Sequence, residues 1–328
     1  MARLPELDYA AEADRICTRL REVTVRDLRR RGLVVAMSGG IDSSVCAALA
    51  VRALGAERVH GLLLPERDSS GESSRLGRVL AEHLGILFTL KDISATLDAI
   101  GCYSALDEVL GRVLPGFGGG WKFKLAISEA MGGRIGITQV VAEDPSGRRH
   151  DARLSAADYL QIVAATNFKQ RVRKTLEYFH ADRLNYAVVG TPNRLEYDQG
   201  FFVKNGDGAA DVKPIAHLYK TQVYGMARYL GLPESVTSTT PTTDTFSLAQ
   251  GQDEFYFGLP YPQMDLVLWH FNQGLGAAEL AQELGCDEAA AERRYQAVRT
   301  KRRTTAYLHA RPVLVAPVPE IDGEDTAL

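Results

Sequence analysis

The stretch Ser38-Gly39-Gly40-Ile41-Asp42-Ser43-Ser44 has the densest set of residues able to do chemistry. An apolar run, 33–37, precedes it, and an Ala-, Val- and Leu-rich run, 43–54, follows it, so a strand should enter and a helix should leave. Strand, glycine turn and helix together aim several backbone N–H groups from a helix N-terminus, where they and the helix dipole attract an anion. The two glycines let a phosphate approach the backbone closely, and Ser38, Ser43 and Ser44 add hydroxyl donors. A Ser-capped turn alone would account for one Gly and one Ser, not for five small polar residues around an Asp. The spacing is neither G-x-x-x-x-G-K-[ST] nor G-x-G-x-x-G, so this is a different phosphate loop. A carboxylate among phosphate donors would be repelled unless a divalent metal bridged them, which makes Asp42 a candidate Mg²⁺ ligand.

The elements that must position this loop are legible from periodicity. Residues 10–30 read as an amphipathic helix, with Ala13, Ile16, Cys17, Leu20 and Val23 at helical spacing, ended by Gly32. Strands are predicted at 33–37, 59–64 and 86–90, with helices at 43–54 and 74–84 between them. That alternation implies a parallel sheet with right-handed crossovers. The pattern breaks over 102–158, where a Gly-rich turn, 116–120, precedes a hairpin signal: alternating segments 134–141 and 148–154 around Asp144-Pro145-Ser146-Gly147. Regularity returns with a helix over 159–179, a strand at 186–190 and a helix over 220–230 closed by Gly231 and Pro233. Residues 277–307 read as helical, and 320–328 as a disordered tail. Four segments follow: 1–101 and 159–275 as the two halves of a core, 102–158 as an insertion, and 276–328 as a helical C-terminal part.

Composition narrows the class. The 328 residues are 45% hydrophobic and 24% charged with net charge -3, ordinary for a soluble globular protein and no support for a nucleic-acid partner. Cys17, Cys46, Cys102 and Cys286 are scattered, without C-x-x-C or a neighbouring His, so a reducing cytoplasm is expected rather than a disulfide framework or zinc site. No apolar run is long enough to span a bilayer, and the acidic N-terminus lacks the apolar core of a secretory signal.

The loop resembles the signature of the N-type ATP pyrophosphatases, which split ATP between the α- and β-phosphates, adenylate a substrate and let a nucleophile displace AMP. A second cluster narrows the resemblance. Gly190-Thr191-Pro192-Asn193-Arg194-Leu195-Glu196, then Phe202-Val203-Lys204-Asn205-Gly206-Asp207-Gly208 and Asp211, then Tyr219-Lys220-Thr221-Gln222 and Pro241-Thr242-Thr243-Asp244 resemble the NAD synthetase family in order and register. The resemblance implies an α/β fold of the adenine nucleotide alpha hydrolase-like kind, with a doubly wound parallel sheet. It implies that Ser38, Gly39, Gly40, Asp42, Ser43 and Ser44 hold pyrophosphate, that Asp42 and Glu196 bind Mg²⁺, and that Thr191, Lys220 and Thr242 contact ATP. Asp42, Glu196 and Lys220 would be the catalytic set. Arg171, Lys204, Asp211 and Lys301 would contact deamido-NAD. The implied reaction is amide formation from deamido-NAD and ammonia in a homodimer whose dinucleotide site crosses the interface. Positioning and electrostatics would carry catalysis.

Three departures fall on the acceptor side. No glutaminase domain is expected before the first helix, so ammonia would be free or come from a separate glutaminase or amine donor. The 102–158 segment is longer than in the bacterial ammonia-dependent enzymes and lies just before the helix bearing Arg171. Thr300 replaces the family's His before Lys301, and 246–261 is unusually aromatic. An amide ligase acting on another carboxylate or amine is therefore the alternative.

Overall fold

The chain was described from a computed structural model, which covers residues 4–128, 137–238, 246–248 and 259–318. Four short strands form the central sheet: β1 (Leu33–Ala36), β2 (Val59–Leu63), β3 (Leu87–Leu90) and β7 (Ala187–Val189). Their order is β3-β2-β1-β7 and every pairing is parallel, so the winding reverses between β1 and β7. The crevice beyond the C-terminal ends of strands flanking such a switch is where ligands bind in open α/β sheets.

Successive residues of β1 serve opposite cores, as the two-residue strand period requires. Leu33 and Val35 pack with α1 (Tyr9–Glu22), α2 (Ile41–Leu54) and α8 (Lys220–Tyr229). Val34 packs on the other face with α4 (Ser94–Ala99), α5 (Cys102–Val113) and α6 (Ala156–Leu184). The remaining helix of this half, α3 (Gly71–Leu84), lies between β2 and β3 in the chain. A third core joins α7 (Arg194–Gln199) to α10 (Tyr261–Gln273), α11 (Ala277–Leu284) and α12 (Glu288–His309), while α9 (Glu234–Thr237) is a single turn. Among the described residues no helix is long and apolar enough to cross a membrane.

Between 102 and 158 the described residues form α5 and then an antiparallel sheet of β4 (Lys122–Ser128), β5 (Ile137–Glu143) and β6 (Arg149–Arg153). The strands β5 and β6 flank the Asp144-Pro145-Ser146-Gly147 turn, in which Gly147 takes a φ of 81°. The strand β4 is absent from the sequence reading, yet its Phe123 and Leu125 share a core with Val34 and Leu62 of the main sheet.

Several predicted boundaries move for local reasons. The first α-helix stops at Glu22, passes into a π-helical turn over Val23–Asp27, and Arg29 then adopts a φ of 52°. The helix predicted over 159–179 runs longer because Ser155 caps its start on the Asp158 N–H and Asn185, in the left-handed region, ends it. The single helical stretch predicted over 277–307 is two helices broken at Gly285. Helix α10 emerges from the end of the aromatic stretch, entered through Pro260. The tail 320–328 lies outside the described residues.

Candidate active site

The phosphate loop leaves β1 at the winding switch. Gly39 adopts a φ of 77°, and a Cβ there would stand 2.6 Å from the Ser73 carbonyl oxygen, so glycine is required twice over. Gly40 is the N-cap of α2. The Ser43 and Ser44 hydroxyls donate to the Gly40 carbonyl at 3.0 and 2.8 Å, while Ser38 Oγ accepts from the Gly40 N–H at 3.3 Å. The serines thus tie the loop to itself. The first-turn N–H groups of α2, which have no intrahelical acceptor, remain as the anion donors.

Asp42, in that first turn, is the centre of a charged cluster. Its Oδ1 accepts from Asn193 Nδ2 at 3.0 Å, and its Oδ2 is ion-paired with Lys220 Nζ. Asn193 follows β7 across the switch and does two jobs: its Oδ1 caps α7 on the Leu195 and Glu196 N–H groups at 3.0 and 3.2 Å, and its amide nitrogen holds Asp42. Glu196 completes the capping box by accepting from the Asn193 N–H at 3.1 Å. Burial, and then the charge of Asp42, push the Glu196 carboxyl up to about 8, although Lys220 pulls it down.

Lys220 is fully buried at the start of α8, where the helix dipole disfavours a cation. Burial opposes its charge, but Asp42 and Glu196 outweigh that and hold its pKa above the ordinary lysine value. Asp265, from α10, supplies the cap that α8 lacks locally. It accepts from the Lys220 and Thr221 N–H groups at 3.2 and 2.7 Å and from the Thr221 hydroxyl at 2.7 Å. Burial raises the Asp265 carboxyl to about 6 despite those bonds.

The loop forms one end of a cavity of about 1060 Å³, at the top of the range of roughly 300–1,000 Å³ usual for small-molecule sites. Met37, the Leu62-Leu63-Leu64 strand end and Leu76 give it an apolar wall beside the loop, and Thr191 and Glu196 line it too. Helix α6 presents Asn167, Gln170, Arg173, Lys174 and Glu177 to it. Arg173 Nε donates to the Leu64 carbonyl at 3.2 Å, and Lys174 pairs with Glu177 at 2.6 Å. Fully buried Lys169 binds Glu66 at 3.0 Å and Asp68 at 2.7 Å, tying the loop after β2 to α6.

The structure gathers Ser38, Gly39, Gly40, Asp42, Ser43, Thr191 and Glu196 in the lining of this cavity, with Lys220 buried behind Asp42. Ser44 sits beneath the loop, and Thr242 lies outside the described residues. The four residues read as acceptor contacts are not in the cavity lining. Arg171 is exposed on α6 and its Nε donates to the Lys204 carbonyl at 3.3 Å. Lys204 Nζ donates to the Tyr307 and Ala310 carbonyls at 2.8 and 3.3 Å, closing the end of α12. Asp211 accepts from the Val188 N–H at 2.7 Å and from the Tyr178 hydroxyl at 3.2 Å. Lys301 is on α12, with its pKa lowered to about 8 by burial.

Sequence reasoning missed Asn193, Asp265 and the Lys169 clamp. Asn193 carried a signal, an N-cap residue three positions before a Glu. The other two meet their partners only through the fold.

The NAD synthase family model matches residues 12–109 and 137–305. An NH(3)-dependent NAD(+) synthetase of Rhizobium meliloti (strain 1021) is 55% identical over 97% of this chain and 95% of its own length. One of Thermotoga maritima is 36% identical over 74% of this chain and 81% of its own. Among solved structures, an NAD+ synthetase from Burkholderia pseudomallei superposes with a TM-score of 0.57 at 27% identity, over 92% of each chain. A family model that matches both halves, and relatives more than half identical along nearly the whole length, lead to one conclusion: the chain belongs to the NAD synthase family.

Proposed function

We propose that the chain is an ATP-dependent amide-forming ligase that converts deamido-NAD to NAD with ammonia, releasing AMP and pyrophosphate. The observation that carries this reading is the cluster in which α2's N-terminus, Asp42, Glu196 and Lys220 converge at the winding switch. The nicotinate carboxylate would attack the α-phosphorus, pyrophosphate would leave against the α2 N–H groups, and ammonia would then displace AMP from the acyl-adenylate. Lys220, fixed by Asp42 and by the Asp265 cap, holds positive charge where negative charge grows on the departing pyrophosphate.

Asp42 and Glu196 fit Mg²⁺. Both are hard oxygen ligands at one end of the cavity, buried Glu196 feels the charge of Asp42, and Mg²⁺ commonly takes one or two carboxylates with substrate phosphates. When bound, the ion would neutralise phosphate charge during the displacement. The relatives that share nearly the full length are named for ammonia, which supports free ammonia or a separate glutaminase as the nitrogen source. Four free cysteines support a reducing, cytoplasmic setting.

A homodimer is supported by a stripe on α6. Leu160, Ala164, Phe168, Arg171, Thr175 and Phe179 are all exposed at spacings of three and four, and Leu160 and Phe179 keep 63% and 58% of their surface. Arg171 lies in that stripe, where a second copy would bring its own surface against it. Light scattering should give twice the chain's 35.9 kDa for the native protein and a single chain for the double variant F168D/F179D. A monomeric native protein at micromolar concentration would contradict the assignment.

The reading is tested by incubating the protein with ATP, Mg²⁺, ammonium and deamido-NAD beside a panel of other carboxylic acids. NAD formed in step with pyrophosphate supports it. Pyrophosphate release with another acid and not with deamido-NAD would replace it with the alternative acceptor.

A further inference from the structure

The cavity does not end at the nucleotide loop. Its lining continues to Gly120, Trp121, Lys122 and Leu125, where β4 begins, and on the α6 side to Tyr159 and Val163. The loop residues Ser38 to Ser43, α6 residues from Tyr159 to Glu177, and Trp121 all line this one cavity, so a nucleotide whose phosphates lie at the loop shares its space with this wall. Trp121 and Lys122 also fall between the two stretches matched by the family model.

Trp121 is built to hold one orientation. Its indole packs 4.7 Å from the His150 ring and 5.6 Å from the Phe117 ring, centroid to centroid. His150 is in turn held by Asp144 Oδ2 at 2.9 Å, in the turn between β5 and β6. Next to Trp121, β4 is locked on its free edge: the Phe123 N–H donates to Ser247 Oγ and the Leu248 N–H to the Phe123 carbonyl, each at 3.0 Å. The indole is thus half-buried in the cavity wall, backed by two rings, beside the exposed cation of Lys122. A rigid aromatic surface in a nucleotide cavity, with a cation adjacent, is the chemistry that takes a heteroaromatic base by stacking and its phosphates by charge.

We propose that Trp121 is a specificity-determining residue that stacks on the adenine base of a nucleotide substrate. This rests on the function proposed above, under which both ATP and deamido-NAD carry adenine.

Only two tryptophans occur in the chain, so the variant W269F leaves Trp121 as the sole indole. Titrating W269F with ATP and with deamido-NAD separately should quench its emission with at least one of them, which identifies the base that stacks. Tripolyphosphate and nicotinate mononucleotide, which lack adenine, should leave it unchanged. In steady-state assays W121L should raise the KM of the quenching nucleotide about tenfold, from base–aromatic stacking of about 1–3 kcal/mol, with little change in kcat, and W121F should restore most of the loss. Absence of quenching by either nucleotide, equal quenching by tripolyphosphate or nicotinate mononucleotide, or an unchanged KM in a folded W121L would overturn the proposal. Quenching is an equilibrium signal and needs no turnover, so a protein that binds ATP at Trp121 but makes no NAD would sink the proposed function and leave this inference standing.

Discussion

Asp42→Asn should abolish pyrophosphate release with every carboxylate tried, a loss of at least about 10³-fold, while the protein stays folded. The substitution keeps the side-chain volume, and the carbonyl of the substituted amide can still accept from the Asn193 amide that now binds Asp42 at 3.0 Å. What disappears is the negative charge. Buried Lys220 then faces Glu196 alone, and a cation at the site loses one of its two carboxylates. Both losses fall on the transition state, where pyrophosphate charge must be matched without solvent. Circular dichroism should show the native helix content. More than about a tenth of native activity in the variant would mean that Asp42 is neither the metal carboxylate nor the anchor of Lys220.

Lys220→Met should be nearly as damaging for a different reason. The lysine stem is fully buried and methionine can fill much of its space, so α8 keeps its start and its Asp265 cap. The ammonium is gone, however, and Asp42 and Glu196 remain together without their internal cation. Removing one partner of a buried pair costs about 3–5 kcal/mol in the severe cases; Asp42, with 16% of its side-chain surface exposed, places this one below that limit. We expect a measurable drop in melting temperature and a fall in kcat of about 10²- to 10³-fold, with the KM for deamido-NAD changed far less. A variant that lost only nucleotide affinity, with kcat retained, would make Lys220 a binding residue and not one that acts on the leaving group.

The nucleotide side of this protein is legible in sequence because its signals are local. The segment 38–44 puts loop, helix start and Asp42 within seven successive positions, and Glu196 sits at the third position of a capped helix. Strand alternation around the loop gave the parallel sheet for the same reason. What escaped is what tertiary structure alone creates. Asp265 reaches Lys220 across 45 positions, and Lys169 reaches Glu66 across 103. Strand β4 pairs with nearby β5, but Phe123 is also held from Ser247 and Leu248, more than a hundred residues away. Of the basic residues that the resemblance assigns to the acceptor, Arg171 lies on the outside of α6 and Lys204 reaches from the segment after α7 to the carbonyls at the end of α12. Their proposed role rests on a second copy of the chain.

Whether the loop at 38–44 serves to adenylate a carboxylate can be decided by isotope transfer. Deamido-NAD labelled with ¹⁸O in its nicotinate carboxyl group should be turned over with ATP, Mg²⁺ and ammonium, and the products weighed by mass spectrometry. If the carboxylate attacks the α-phosphorus and ammonia later displaces AMP, one carboxyl oxygen leaves on the AMP, and pyrophosphate stays unlabelled. Label found in inorganic phosphate, or AMP that carries none, would contradict adenylation and with it the role assigned to the loop.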